Sequence, residues 1–286
     1  MTISLILLGL FVSAFGGDES SIDEVSKRKI AALRSYYAAT AARYEFFRDS
    51  ERQVPLQFVK TPVMTWTMDN DWGGDVFVWT HAQRPEIIGC ILSAPEKNNS
   101  RKVYEEFHLL SEQPIGPVDL LGGANWAPKE GLKVQVAMGA PIPADTAPLR
   151  LSQKRQIMRD FTAKMQAEGE WELRQLTQPL LRYQPTEGVV VDGALFAFVW
   201  PKGTDPELIL LLECRKTEDG LAWYFSPAQF TTREIWLKYR DKEVWRVPGL
   251  HNGNKSGTFI TRELGDFRTT PGLQEEPESK IPSEKK

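Results

Sequence analysis

The sequence predicts an α+β fold in which one unit, a helix followed by an antiparallel β-meander, is duplicated in tandem, with a single sheet shared by both units as an allowed variant. Three observations predict it. FVWTHAQRPEII (Phe77–Ile88) returns 121 positions later as FVWPKGTDPELI (Phe198–Ile209), with six of the twelve pairs identical. Upstream, TPVMTW (Thr61–Trp66) aligns with QPLLRY (Gln178–Tyr183) at an offset of 117, proline over proline and aromatic over aromatic. A helical spacing of apolar residues precedes each of these stretches. The chain then divides into a signal peptide (1–16), a first unit (17–112), a connection rich in Gly and Pro (113–148), a second unit (149–267) and a disordered tail (268–286).

Each element has its own reason. Ile3 to Phe15 is an uncharged apolar run followed by small residues and the polar stretch Asp18 to Ser21, the outline of a cleaved export signal, and it is too short for the ~20 residues that span a bilayer. Val25, Ile30, Leu33, Tyr37, Ala41 and Tyr44 recur near the helical period and predict a helix over about 22–48. VMTWT, DVFVWT, IIGCILS and VYEEFHLL follow as strands, with LKVQVAM as a candidate fifth. Ile157, Phe161 and Met165, four apart, predict a second helix over about 151–168, with Ser152 as its cap and Gly169 as its stop. LLRY, ALFAFVW, ELILLLE, LAWYFS and EIWLKYR complete the second set. In the repeated phrase, Phe and Trp share one face of a strand, and a five-residue turn ends at Pro85 or Pro206, where the returning strand begins.

Composition bounds the function. The 286 residues are 41% hydrophobic, enough for one large core or two modest ones, and the net charge of -3 offers no basic field for nucleic acid. No second long apolar segment follows the signal, so no stable transmembrane segment is expected after its cleavage. Cys90 and Cys214, in apolar runs, are expected as two buried free thiols, although export permits a disulfide. Asn98-Asn99-Ser100 and Asn254-Lys255-Ser256 fit the glycosylation acceptor pattern.

Motifs for known chemistries are missing or incomplete. Asp69-Asn70-Asp71-Trp72-Gly73-Gly74-Asp75 has carboxylates at alternate positions as a calcium loop does, but Gly73 stands at the fifth position and Thr80 at the twelfth, so no metal site is expected. His81, His108 and His251 lack ligand spacing, no nucleophile elbow or phosphate loop is present, and no cofactor is expected. Glu86 and Glu207 are equivalent in the repeat and are expected on the surface at strand starts. Glu213, after four apolar residues, is a candidate desolvated acid, with Arg215 and Lys216 nearby as strand-end charges. Nine tryptophans anchor the cores for the most part; Trp72, in a Gly-rich turn, and Trp126, in the connection, are the candidates for exposed ligand-binding rings.

The export signal, QPLLRY, and FVW followed after five residues by PELILLLE resemble bacterial exported proteins of unknown function. The resemblance covers most of the chain after the signal and implies periplasmic or extracellular location, with no catalytic residues. Paired helix-plus-sheet units, abundant aromatics and the lack of any catalytic signature make the expected function a non-catalytic binding or scaffolding role toward a protein, peptide or glycan of the envelope. The alternative is a hydrolase of envelope or extracellular polymers, with Asp71, Asp75 and Glu213 as its acids.

Overall fold

The computed structural model describes residues 19–97, 100–250 and 257–268. The export signal, the tail beyond 268, His251 and the Asn residues of both acceptor sites lie outside the described residues. Eighteen strands and two helices are present among the described residues, so the fold is mostly β and the expected α+β repeat of helix plus meander is corrected.

Two six-stranded antiparallel sheets form the centre. The first comprises β1 (Gln57–Phe58), β2 (Met64–Thr67), β3 (Gly73–His81), β4 (Arg84–Pro95), β5 (Ser100–Leu109) and β18 (Phe259–Arg268), in the order β1-β3-β4-β5-β18 with β2 also on β3. The second comprises β8 (Gln135–Val136), β11 (Arg174–Gln175), β12 (Leu181–Tyr183), β13 (Val190–Val199), β14 (Pro206–Thr217) and β15 (Gly220–Gln229), in the order β11-β13-β14-β15-β8 with β12 also on β13. The connection thus supplies β8 to the second sheet, and the end of the second unit supplies β18 to the first.

The two sheets pack face to face. Val76, Val78, Ile88 and Cys90 of the first share a core with Leu195, Ala197, Ile209 and Leu211 of the second. The outer face of the first sheet, with Phe77, Trp79 and Phe107, is covered by helix α1 (Glu19–Ala41) and by the hairpin β6 (Val118–Leu120) and β7 (Ala124–Trp126). The outer face of the second, with Phe196, Phe198 and Leu210, is covered by helix α2 (Ala147–Met158) and a four-stranded sheet of β10 (Glu170–Glu172), β9 (Phe161–Gln166), β16 (Glu234–Tyr239) and β17 (Lys242–Val247). Burial on both faces explains the unbroken apolar runs of β4 and β14.

The helices depart from expectation for local reasons. α1 ends at Ala41, and Tyr44 and Phe46 reach the core from the irregular chain beyond it. α2 starts after Thr146 with a proline in its first turn and ends at Met158. Phe161, Ala163 and Met165 are buried while Thr162 and Gln166 are exposed, a period of two that makes this stretch a strand. A four-residue spacing of apolar residues fits both periods, and pairing with β16 decides for the strand.

The repeated phrase also folds differently in its two copies. In the first, β3 and β4 close on His81 and Arg84 through Ala82 and Gln83, with φ of 45° and 69°, a two-residue hairpin turn. In the second, β13 ends at Val199 opposite Pro206, and Trp200 stands in the longer loop. Trp79 lies between Phe58 and Ile87, and Phe198 lies between Gln175 and Leu208. Phe198, two residues before Trp200, therefore holds the place that Trp79 holds in the first sheet.

Candidate functional site

The layer between the sheets ends in charge. β4 begins Arg84-Pro85-Glu86, with a register shift at Glu86, and β14 closes with Glu213-Cys214-Arg215; alternation places Glu213 and Arg215 on the face of Leu211, and Arg84 reaches Glu213 across the layer. The start of one strand therefore stands over the end of the other. Arg84 Nε donates to Glu213 Oε1 at 3.0 Å, and the Tyr183 hydroxyl donates to the same oxygen at 2.8 Å. Arg215 donates through Nε to Glu213 Oε2 at 2.9 Å and through Nη2 to both that oxygen and Glu112 Oε1, the latter at 2.7 Å. Arg84 Nη1 reaches Glu86 Oε1 at 3.3 Å and the Leu110 carbonyl at 3.1 Å.

Burial alone would raise the Glu213 carboxyl, but the guanidiniums of Arg84 and Arg215 outweigh it and hold Glu213 below its ordinary 4.5. Burial would weaken the Arg84 charge, and Glu213, Tyr183 and Glu86 push its pKa upward instead. Burial and the neighbouring Glu213 raise the Tyr183 phenol well above 10.0, so its proton stays on the oxygen that donates to Glu213. Gly193 makes room for that ring, since a Cβ there would fall 2.2 Å from the Tyr183 ring edge.

A cleft of about 400 Å³ opens over this group. Arg84, Glu86 and Ser111 are buried on its floor, while Arg48, Glu112, Glu187 and Val189 stand exposed around it. Nη2 of Arg84 has no hydrogen-bond partner and lies 3.7 Å from Glu112 Oε1. His81 Nε2 is 3.7 Å from Glu187 Oε2. A second cleft of about 450 Å³ lies along the same turn and includes Thr80, Gln83, Arg182, Tyr183 and Asp192. Behind Asp192, Lys154 touches its carboxylate and Arg150 Nε lies 3.3 Å away. Burial and the guanidiniums of Arg182 and Arg150 pull Lys154 down to about 7, against smaller upward contributions from Cys214 and Glu213.

The three acids nominated from sequence are not brought together. Asp71 is exposed beside Arg101, whose Nη1 donates to it at 2.8 Å. Asp75 is buried on the outer face of the first sheet, held by Arg34 at 2.5 Å and Thr65 at 2.6 Å. Glu213 lies on the inner face of the second sheet. Trp72 is half-buried, stacked on Tyr104 with ring centroids 5.7 Å apart and planes at 11°. Trp126 is fully buried rather than exposed, because β7 folds it against Phe107 and its Nε1 donates to the Gly257 carbonyl at 2.9 Å.

Glu86 and Glu207, expected on the surface, are each 4% exposed. Their backbone roles are alike, the Glu86 carbonyl accepting from Leu110 and the Glu207 carbonyl from Phe230, yet their surroundings differ. Glu207 belongs with Asp205 and Glu106 to a second charged group, in which Arg233 Nη1 lies 3.8 Å from Glu207 Oε1. Burial raises Glu207 to about 7, and burial with the Glu207 charge raises Glu106 to about 8. Asp205 is raised by burial and by both neighbours. Arg84, Tyr183 and Glu112 are not signalled by the sequence; only the charges beside the inward-facing Ile88 and Cys90 pointed to a polar end of the layer.

Among the described residues, no group of three or more His, Cys, Asp and Glu is placed to hold a metal ion, and no helix is long and apolar enough to cross a membrane. No protein-family model, curated protein or solved structure matches this chain.

Proposed function

We propose that the protein is an exported, non-catalytic binding protein whose ligand seats in the cleft over Arg84. The observation that carries the reading is the state of the floor: a buried guanidinium fixed by Glu213 and Glu86 keeps one nitrogen, Nη2, without a hydrogen-bond partner beneath the exposed Glu112, 3.7 Å away, where two sheets meet. Such a group is positioned for recognition. It supports binding over hydrolysis because Glu213, the one nominated acid near the cleft, accepts from three side chains and is held ionised, leaving it neither a proton to give nor a free oxygen to activate water. Export is supported by the apolar run Ile3 to Phe15 and the polar stretch after it.

The test is to expose the purified chain to the small-molecule fraction of its own envelope, desalt, denature and identify what is released by mass spectrometry. Val189→Trp, which fills the cleft from its exposed rim, should release nothing. Release of polymer fragments by the wild type, with loss of that activity in Glu213→Gln, would establish the hydrolase instead. Intact-mass measurement on cell fractions checks export, for which a cytoplasmic product retaining residues 1–16 is the contrary result.

A further inference from the structure

We propose that this cleft takes the free N-terminus of a short peptide, with its α-ammonium among Glu86, Glu112 and Glu187 and the carbonyl oxygen of its first residue on Nη2 of Arg84. The proposal rests on the binding reading above and names the ligand class for that site.

Charge comes first. The paired group beneath the cleft has two guanidiniums, Arg84 and Arg215, against three carboxylates, Glu86, Glu112 and Glu213, so one formal negative charge is left over. At the rim, Glu187 and Arg48 cancel formally, leaving the imbalance in place. Glu86 and Glu213 have side chains only 5% and 2% exposed, where water screens charge weakly. A cation fits this balance, whereas a free anion would add to the surplus.

Geometry adds the second requirement. Nη2 of Arg84 is a buried donor with no hydrogen-bond acceptor, only the Glu112 carboxylate at 3.7 Å, and a buried hydrogen bond left unmade marks a place for a partner. An isolated ammonium would leave it unpaired, and a carboxylate would undo the charge balance. A neutral carbonyl beside the ammonium meets both needs, and an α-amino residue carries the two groups about 3 Å apart. Glu112, 39% exposed, stands 3.7 Å from Nη2; its side chain swings toward the entering ammonium as the carbonyl takes its place. Val189 and Val190 provide an apolar wall, and about 400 Å³ lies within the ~300–1,000 Å³ usual for small-ligand clefts.

The test titrates the purified chain with trialanine amide, which has a free N-terminus and no carboxylate, and with N-acetyl-trialanine amide, following heat and backbone amide shifts of Gln113, Gly188 and Val189. Expected are binding of the first peptide at the cleft, a loss of at least tenfold on acetylation, and weakening as pH passes ~8, where an α-ammonium loses its proton. Val189→Trp should also lose at least tenfold while keeping the wild-type melting temperature. If the acetylated peptide binds equally well and Val189→Trp abolishes it, the ammonium assignment is overturned and the cleft reading stands. If neither peptide binds but a ligand sensitive to Val189→Trp is recovered from the envelope fraction, the peptide class is overturned alone. If neither peptide binds and no such ligand is recovered, both fall together.

Discussion

Tyr183 and Arg84, from opposite sheets, donate to one and the same oxygen of Glu213, at 2.8 Å and 3.0 Å. The strand that bears Glu213 is thereby tied both to its own sheet and to the one facing it. Replacing this carboxylate removes the counter-charge of two buried guanidiniums, so Glu213→Gln should lower unfolding free energy by about 3–5 kcal/mol. Tyr183→Phe removes one donor and leaves the guanidiniums in place, and about 1–3 kcal/mol is expected. Urea unfolding of both variants measures the ratio; equal losses would contradict the dominance of the ion pairs.

The same pairing sets a response to acid. Glu213 is held below its ordinary 4.5 in the fold, so its stabilisation is present above that value and is lost as pH falls through the folded pKa. The wild type should lose stability below about pH 4.5 faster than Glu213→Gln does. Parallel acid limbs for the two chains would show that the carboxylate is not held as described.

Glu106 has the opposite sign. Its pKa is raised to about 8 by burial and by Glu207, so the stability associated with its protonated form is complete below the unfolded value and is lost as pH climbs through 8. Glu106→Gln should raise stability at pH 9 by about 1–3 kcal/mol and leave it nearly unchanged at pH 4. Asp205, Glu207 and Arg233 face it in the same group, so a double variant with Glu207→Gln should gain less than the sum of the two singles.

Tryptophans separate by layer. Trp79 is 1% exposed and Trp126 is fully buried in the outer core of the first sheet, so each change to Ala should cost about 3–5 kcal/mol. Trp72 is half-buried and stacked on Tyr104, and Trp72→Ala should cost about 1–2 kcal/mol. Thermal unfolding ranks the three; a loss at Trp72 as large as at Trp79 would place Trp72 in the core proper.

Cys90 belongs to the core between the sheets and Cys214 to the outer core of the second, so the two thiols face different layers. Burial pushes both above the usual thiol value. A thiol reagent should find neither in the native chain and both in denaturant. Rapid reaction of one before unfolding would show a path to it.

By itself the sequence determined where the central strands β3, β4, β13 and β14 run, because strand alternation and β-branched or aromatic runs are local properties. DVFVWT, IIGCILS and ELILLLE lie in strands throughout, and ALFAFVW lies in one up to Val199. The apolar unbroken runs also carried the information that both faces of these strands are covered. Tertiary structure alone decided what covers them: Phe161 to Gln166 has a spacing compatible with helix or strand, and only pairing with β16 chose. It also decided that Phe198, and not Trp200, matches Trp79, since hairpin closure at Ala82 and Gln83 shifts one copy of the phrase against the other. The candidate site was the least legible part. Glu213 could be singled out because a carboxylate after four apolar residues must find partners, but those partners come from Arg84, 129 positions away, and Tyr183, 30 away. An ion pair between two sheets leaves no mark in either strand beyond an inward-facing charge, and which charges meet depends on how the sheets are stacked.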